Sequence, residues 1–255
     1  MSALSYICDE YGSDSEDSET DSKDNERDSL FRPKLPAPNL SKVPVVPSNI
    51  HIDDPQLHGG RSRTFPHVRG NWATFVYVNY CQINAVCDLI DKLEDAVVAK
   101  VESCHRCDDF HISLSKTFVL KYHLISAFSS SLHKCLADVE SFDLGFAAVK
   151  VYCNEDHSRT FISLDVDPFT HKHLLNVSKK VDDVLTEFQL PTFYENPSFH
   201  MSILWVNGDK KTELISIIDE LNELLSQELE KSLNTVLIET INCKSGNKYF
   251  QYSLS

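Results

Sequence analysis

The sequence predicts an α+β fold built from two similar units, or lobes, with one cleft between them. The first observation is a repeated motif, since FHISLSK (residues 110–116) and FHMSILW (199–205) both spell Phe-His-apolar-Ser-apolar. The second is a repeated order of predicted elements: strand, helix, His-x-Ser strand, helix, strand, strand. This order begins at Trp72 and again at Arg159. Two units related by an approximate two-fold would bring the two His-x-Ser strands side by side.

The N-terminal region is predicted to lie outside the folded domain. Residues 1–30 are expected to form a disordered acidic tail, because residues 12–29 contain no apolar side chain and cannot bury enough surface to offset their ordering entropy. Residues 31–57 are expected to be a Pro-rich linker, since five of the ten prolines occur between Phe31 and Pro47. Residues 58–255 are then left for the folded domain.

The first unit is predicted from periodicity. Residues 72–78, WATFVYV, are aromatic and β-branched and favour a strand. Residues 81–101 carry apolar side chains at helical spacing, and residues 121–140 do so again after the FHISLSK strand.

The second unit is predicted in the same way. Residues 146–153 and 159–166 are typical of two paired strands, and the second of them opens the second unit. The elements predicted after this hairpin are a helix at 170–188, the FHMSILW strand, a helix at 211–230, and strands at 234–242 and 248–254 joined by a turn at Ser245-Gly246-Asn247.

The His-x-Ser strands indicate phosphodiester chemistry. Side chains alternate along a strand, so His111 and Ser113 leave one face, and His200 and Ser202 do likewise. One histidine can take a proton from an attacking hydroxyl while the other gives one to the leaving oxygen, and serine hydroxyls can donate to the phosphate oxygens. In RNA the ribose 2′-OH supplies the nucleophile, the product is a 2′,3′-cyclic phosphate, and no metal or cofactor is required.

Other interpretations of these residues remain open on the sequence alone. A strand histidine can be a satisfied core residue or a metal ligand, but a metal site needs a third ligand and no nearby carboxylate pattern supplies one. A nucleophilic serine favours a Gly-rich elbow, and the chain holds only seven glycines.

Charge and composition limit the classes of binding partner and the cellular compartment that the sequence allows. The formal net charge is −14, of which residues 1–29 carry −8, so the remaining −6 argues against broad binding to a nucleic-acid backbone and leaves room for a small site for an RNA end. We expect no DNA partner. We also expect no membrane partner, because no apolar run approaches the roughly 20 residues of a membrane span. Eight scattered cysteines favour a reducing compartment, the cytosol or the nucleus.

Longer stretches carry a family resemblance. Beside the two motifs these are HGGRSRTFPHVRGNWATFVYV (58–78), FYENPSFHMSILW (193–205) and CKSGNKYF (243–250). Over residues 58–255 the chain resembles the two-histidine (2H) phosphoesterase superfamily and, within it, the U6 small nuclear RNA 3′-end phosphodiesterases. The resemblance implies two pseudo-symmetric antiparallel sheets with flanking helices and a central cleft.

The resemblance also implies an activity and a site. It implies a metal-independent 3′→5′ exoribonuclease that trims the oligo(U) end of U6 RNA and leaves a cyclic phosphate or a phosphate. His111 and His200 would be the catalytic pair, and Ser113 and Ser202 would hold the phosphate. We assign His200 as base and His111 as acid, a division that the resemblance itself does not fix. Tyr194 matches the family's aromatic residue that stacks on the terminal base.

Further expectations follow from that activity. Lys116 and Lys244 could supply positive charge to the RNA. The protein is expected to act as a monomer in the nucleus. Two alternatives are a 2′,3′-cyclic phosphodiesterase acting on other RNA ends and a non-catalytic scaffold that binds an RNA end in the spliceosome.

Overall fold

The computed structural model describes residues 68–255 except for 82, 155 and 232–234. The expectations for the tail (1–30) and the linker (31–57) lie outside the described residues, as does the stretch 58–67. The described strands are β1 (Asn71–Asn79), β2 (His105–Arg106), β3 (His111–Ser113), β4 (Phe118–Lys121), β5 (Phe142–Leu144), β6 (Phe146–Cys153), β7 (Arg159–Val166), β8 (His200–Asn207), β9 (Val236–Ile238), β10 (Thr240–Ser245) and β11 (Lys248–Ser253). The described helices are α1 (Ile83–Val101), α2 (Ile125–Leu136), α3 (Pro168–Glu187), α4 (Lys211–Ile215) and α5 (Ile218–Lys231).

The strands confirm the predicted α+β fold with antiparallel sheets and flanking helices. Within the described ranges the main sheet runs β11-β10-β1-β3-β8-β7-β6, with β4 also on β1 and β2 also on β8. One half of this sheet contains β11, β10, β1, β3 and β4, and the other contains β8, β7, β6 and β2. The halves join where β3 meets β8, through the pair Ile112 and Met201. The predicted hairpin of β6 and β7 is present, and each half therefore ends in a two-stranded hairpin.

The helices cover the face of the sheet that carries the buried side chains. α1 packs on β8 and on α5, whereas α2 packs on β11 and on α3. The core of this layer includes Val76 on β1, Ile112 on β3 and Met201 on β8, each fully buried. The opposite face of the central strands is left half-buried, and it carries the His-x-Ser motifs. No helix among the described residues has the length and apolarity that a membrane crossing requires.

The FHISLSK segment is not one strand, which corrects the sequence-based boundary. It forms only β3, after which the chain leaves the ladder and returns to β1 as β4. The break arises because the Ser115 hydroxyl, instead of a backbone carbonyl, accepts the N–H of Val76 at 2.9 Å. The resulting loop carries Lys116 at an exposed position.

Other boundaries differ for local reasons. The helix predicted at 170–188 begins two residues earlier, because the Asp167 side chain caps the N–H groups of Phe169 and Thr170 and Pro168 occupies the first turn. The helix predicted at 211–230 is interrupted between α4 and α5, where the Ser216 hydroxyl donates to the Glu213 carbonyl at 2.6 Å. The strand predicted at 234–242 divides into β9 and β10, and β9 pairs with β5 in a separate small sheet.

Candidate active site

The structure brings the two His-x-Ser motifs together on one face of the sheet. Because Ile112 on β3 pairs with Met201 on β8 and both are fully buried, the flanking residues of both strands point to the opposite face. The antiparallel register then sets His111 beside Ser202 and Ser113 beside His200. Cross-strand neighbours of this kind have Cβ atoms about 5 Å apart. Each histidine is therefore next to the serine of the other motif, and all four side chains are half-buried.

Both histidine rings are held by a carbonyl two residues earlier in the chain. Nδ1 of His200 lies 2.7 Å from the carbonyl oxygen of Ser198. The ring of His111 makes the corresponding bond to the backbone of Asp109. Because a carbonyl can only accept, Nδ1 of His200 carries a proton, and Nε2 of the neutral ring keeps a free lone pair. This is the tautomer that a general base requires.

Burial lowers the pKa of both histidines. For His111, burial is the largest cause of the lowered pKa, Asp109 partly opposes it, and the positive charge of Lys244 adds to it. For His200, burial is again the largest cause of the lowered pKa, Ser198 and Asp165 partly oppose it, and the charges of His111 and Lys150 add to it. The two rings are thus close enough to affect each other, and both favour the neutral form at neutral pH. A bound phosphate anion would oppose this and favour protonation of one ring.

Three residues on β6 and β7 surround His200, and the sequence analysis missed them. The Tyr152 ring stacks on His200 with centroids 4.0 Å apart and an interplanar angle of 17°. The Tyr152 hydroxyl lies 2.6 Å from Oγ of Ser198, the residue whose carbonyl holds His200. Lys150 forms an ion pair with Asp165 at 2.6 Å, and Asp165 is the register partner of His200. The alternation of Lys150 and Tyr152 in FAAVKVYC is the sequence signal that could have indicated them.

Residues on β1 and β10 surround His111 in a similar way. The rings of Phe75 and Tyr77 lie 5.8 and 5.6 Å from the ring of His111. Lys244, which the sequence analysis singled out, pairs in register with Phe75 and shares its face. Burial raises the pKa of Tyr77, so its hydroxyl stays protonated and can donate. Lys244 thus places a positive charge on the His111 side of the pair, whereas the charge of Lys150 on the His200 side is balanced by Asp165.

A second serine orients one of the motif hydroxyls. Oγ of Ser163 lies 3.0 Å from Oγ of Ser202, and Ser163 is fully buried on β7. The two residues are register partners at the point where the pairing of β7 and β8 shifts. The buried hydroxyl therefore limits the positions that the Ser202 hydroxyl can adopt. Sequence reasoning missed Ser163, because it belongs to no His-x-Ser triplet.

Tyr194 lies in the loop before β8 and contacts Lys116. Its side chain is 51% exposed. Nζ of Lys116 lies 4.2 Å from the centroid of the Tyr194 ring, so two residues predicted separately meet here. The loop is anchored by Phe193, whose N–H donates to Asp182 at 2.8 Å and whose ring packs near Phe199. An exposed ring on an anchored loop is suited to stacking against a flat ligand.

Known proteins resemble this chain in sequence and in fold. The family described as HVSL, "Uncharacterised conserved protein", matches residues 33–253. U6 snRNA phosphodiesterase 1 of Bos taurus is 39% identical over 231 residues, which are 87% of this chain and 84% of the bovine protein. The Homo sapiens protein of the same name is 39% identical over 229 residues, covering 88% of this chain and 86% of its own. The structure of Kluyveromyces marxianus Usb1 shares the fold with a TM-score of 0.51 and 14% identity, covering 72% of this chain and 98% of that one.

Proposed function

The chain belongs to the HVSL family and to the U6 snRNA phosphodiesterase 1 family, and from this membership we propose that it trims the oligo(U) 3′ end of U6 RNA as a 3′→5′ exoribonuclease. It is an RNA phosphodiesterase that processes 3′ ends. The observation that carries the finer proposal is the pair of histidines, each beside the serine of the other motif, on one half-buried face.

The proposed reaction is an attack by the ribose 2′-OH of the penultimate nucleotide. His200 takes the 2′-OH proton, the 2′-oxygen bonds to phosphorus, and the bond from phosphorus to the leaving 5′-oxygen breaks. His111 gives a proton to that oxygen. The RNA keeps a 2′,3′-cyclic phosphate, and the last nucleoside leaves with a 5′-OH. The free Nε2 lone pair of the neutral His200 ring can accept the 2′-OH proton.

Charge develops on the non-bridging phosphate oxygens during this reaction. Ser113 and Ser202 are proposed to donate hydrogen bonds to those oxygens, and Ser163 positions the Ser202 hydroxyl. Lys244 lies on the His111 side and lowers the electrostatic cost of bringing the phosphate between the rings. No step is assigned to a metal ion.

Tyr194 is proposed to stack on the terminal base, with Lys116 near the RNA backbone. Base–aromatic stacking is worth about 1–3 kcal/mol per base. Tyr194→Ala should therefore raise KM for a short RNA by about tenfold or more, whereas Tyr194→Phe keeps the ring and should preserve KM. Equal KM values for the alanine variant and the unchanged protein would reject the stacking role.

The proposed setting follows from the substrate. We infer a monomer acting in the nucleus, where U6 RNA is a splicing component, and acting on RNA and not DNA because DNA lacks the 2′-OH nucleophile. The mildly acidic globular part supports recognition of an RNA end over binding along a duplex.

A length-resolved assay tests the proposal. A 5′-labelled RNA ending in several uridines is incubated with the purified protein in EDTA, beside a circular RNA of the same sequence. We expect a ladder of products, each one nucleotide shorter, from the linear RNA and an intact circle. Cleavage of the circle, or binding of the linear RNA without shortening, would contradict an exonuclease.

A further inference from the structure

Three metal-ligating side chains converge at the end of the β6–β7 hairpin. Cys153 ends β6, His157 lies in the turn that follows, and Asp209 lies just after β8. Nδ1 of His157 is 2.7 Å from Oδ2 of Asp209 and 3.7 Å from Sγ of Cys153. The three ligand atoms all lie within 4.8 Å of one another. Among the described residues, no other group of three or more His, Cys, Asp or Glu side chains converges in this way.

This cluster is separate from the paired histidines. His200 opens β8 and Asn207 closes it, and Asp209 lies beyond that far end. Seven residues of strand span about 23 Å at about 3.3 Å per residue. Cys153 pairs with Thr160, a fully buried residue, whereas the neighbouring Tyr152 points to the catalytic face. The cluster therefore lies at the other end of the sheet and on its other face.

Hydrogen bonds join the loop that carries Asp209 to the β6–β7 hairpin. The Thr160 hydroxyl donates to the carbonyl of Gly208 and accepts the N–H of Lys210, both at 2.8 Å, and so holds the residues on each side of Asp209. The N–H of Gly208 donates to the carbonyl of Ser158 at 2.7 Å, which joins this loop to the hairpin turn. The N–H of Lys211 donates a hydrogen bond to Oδ1 of Asp209 at 3.2 Å, and Oδ2 of the same carboxylate contacts His157.

The arrangement differs from a catalytic triad. In a triad the histidine uses one ring nitrogen for the nucleophile and the other for the carboxylate. Here Cys153 and Asp209 both approach the same atom, Nδ1 of His157. The ring therefore does not link the thiol to the carboxylate as it does in a triad, whereas three ligand atoms within 4.8 Å of one another suit a cation.

The spacing is close to that of a tetrahedral zinc site. With Zn–S of about 2.3 Å and Zn–N and Zn–O of about 2.0 Å, tetrahedral geometry sets S···N near about 3.6 Å and N···O near about 3.3 Å. The observed Sγ···Nδ1 distance of 3.7 Å already fits. The carboxylate of Asp209 has to move outward by about half an ångström, and its half-exposed side chain leaves room for this.

We propose that Cys153, His157 and Asp209 bind a zinc-like divalent cation, with water in the fourth position. The thiol loses its proton when the metal binds, and the neutral imidazole coordinates through Nδ1. A thiolate with a nitrogen and an oxygen donor selects Zn²⁺ over Mg²⁺ or Ca²⁺. The ion fastens the β6–β7 hairpin to the loop after β8. It lies too far from the histidine pair to contact an RNA phosphate bound there.

Co²⁺ titration of the full-length protein tests the site. Co²⁺ replaces Zn²⁺ in such sites and gives a thiolate charge-transfer band together with visible bands of tetrahedral geometry. We expect one Co²⁺ per chain, displaced by Zn²⁺. Cys153→Ser should remove the charge-transfer band and weaken binding by more than about tenfold, the low end of the loss seen when even an outer-shell partner is removed. His157→Gln and Asp209→Asn should each weaken binding as well.

Cys104→Ser is the matched control. Cys104 is also a half-buried free cysteine, and burial raises the pKa of its thiol to about 11, which disfavours the thiolate. This variant should keep the full Co²⁺ spectrum. Zn²⁺ should raise the Tm of the unchanged protein and of the Cys104 variant but not of the Cys153 variant, while RNA turnover stays the same. No charge-transfer band, or a band that survives Cys153→Ser and disappears in Cys104→Ser, would overturn the proposal.

Discussion

At the scale of single residues, the carbonyl two positions before each motif histidine determines how its ring is presented. Ser198 holds Nδ1 of His200, and Asp109 holds the ring of His111. The His-x-Ser spacing predicts that histidine and serine share a face, because alternation is a local property of a strand. Lys150, Tyr152 and Ser163 were not predictable in the same way, since their contacts with the motifs depend on which strands pair.

Removing either histidine should stop turnover without removing RNA binding. General acid–base catalysis contributes about 10²–10⁴-fold, so His111→Ala and His200→Ala should each lower kcat by at least about 100-fold. Fluorescence anisotropy with a uridine-tailed RNA should give a nearly unchanged Kd. His133→Ala, which replaces an exposed histidine on α2, is the control and should keep full activity. Full activity in either motif variant would contradict the assignment, and loss of binding together with turnover would assign that histidine to RNA binding and not to acid–base catalysis.

The pH dependence of kcat/KM should be bell-shaped and displaced to the acid side. The base must be neutral and the acid protonated, so activity falls below the lower pKa and above the higher one. Since burial lowers the pKa of both rings, the maximum should lie below about 6.5, the ordinary value for histidine. A maximum well above that value would contradict the account.

Lys244→Met should identify which limb of that profile belongs to His111. The charge of Lys244 lowers the pKa of His111, so its removal should raise that pKa. If His111 is the acid, the alkaline limb moves to higher pH and the acid limb stays. Lys248→Met, in the strand that pairs with β10, is the control and should leave both limbs in place. Movement of the acid limb alone would mean that His111 is the general base and His200 the general acid.

At the scale of elements, the break between β3 and β4 could not be predicted from the sequence pattern. FHISLSK has the alternation of one strand, and β3 keeps it only as far as Ser113. The interruption depends on the Ser115 hydroxyl accepting the N–H of Val76, a partner 39 positions away that no local pattern identifies. As a consequence, the loop it creates brings Lys116 to Tyr194. By contrast, β6 and β7 match their predicted ranges, since both are long and have clear turn residues between them.

The β10–β11 turn offers a test of an element that the sequence did predict. Gly246 has φ of +57°, and a Cβ there would lie 2.5 Å from the Trp72 ring. Gly70 has φ of +84° with no atom within 4 Å of such a Cβ. Gly70→Ala should therefore lower the free energy of unfolding by about 1–2 kcal/mol from backbone strain alone. Gly246→Ala should lower it by about 1–3 kcal/mol more, from crowding against Trp72.

Denaturant unfolding of both variants measures this difference. Both should keep the m-value of the unchanged protein, which shows that stability and not the folded state has changed. Equal free energies of unfolding for the two alanine variants would contradict the prediction, because they would mean that the Trp72 ring moves aside for the new methyl group without a measurable cost.

At the scale of the whole molecule, the two units are joined into one sheet by β3 and β8. The order of predicted elements indicated two related units and placed their His-x-Ser strands side by side. It did not indicate that β10 and β11, from the end of the chain, pair with β1, or that β6 and β7 complete the other half. Those pairings are long-range, and they bring Lys244 to His111 and Lys150 to His200. The site is therefore complete only when both halves have formed.

The most direct test of the central claim, metal-free attack by the ribose 2′-OH, uses two RNAs that differ at one atom. Both end in several uridines, and one carries a 2′-deoxy residue next to the last nucleotide. Each is incubated with the protein in EDTA, and the products are resolved by length and by end group. The account predicts that the all-ribose RNA is shortened stepwise to ends bearing a cyclic phosphate, while the deoxy substitution blocks removal of the last nucleotide. Removal of that nucleotide from the deoxy RNA at an equal rate would contradict the account.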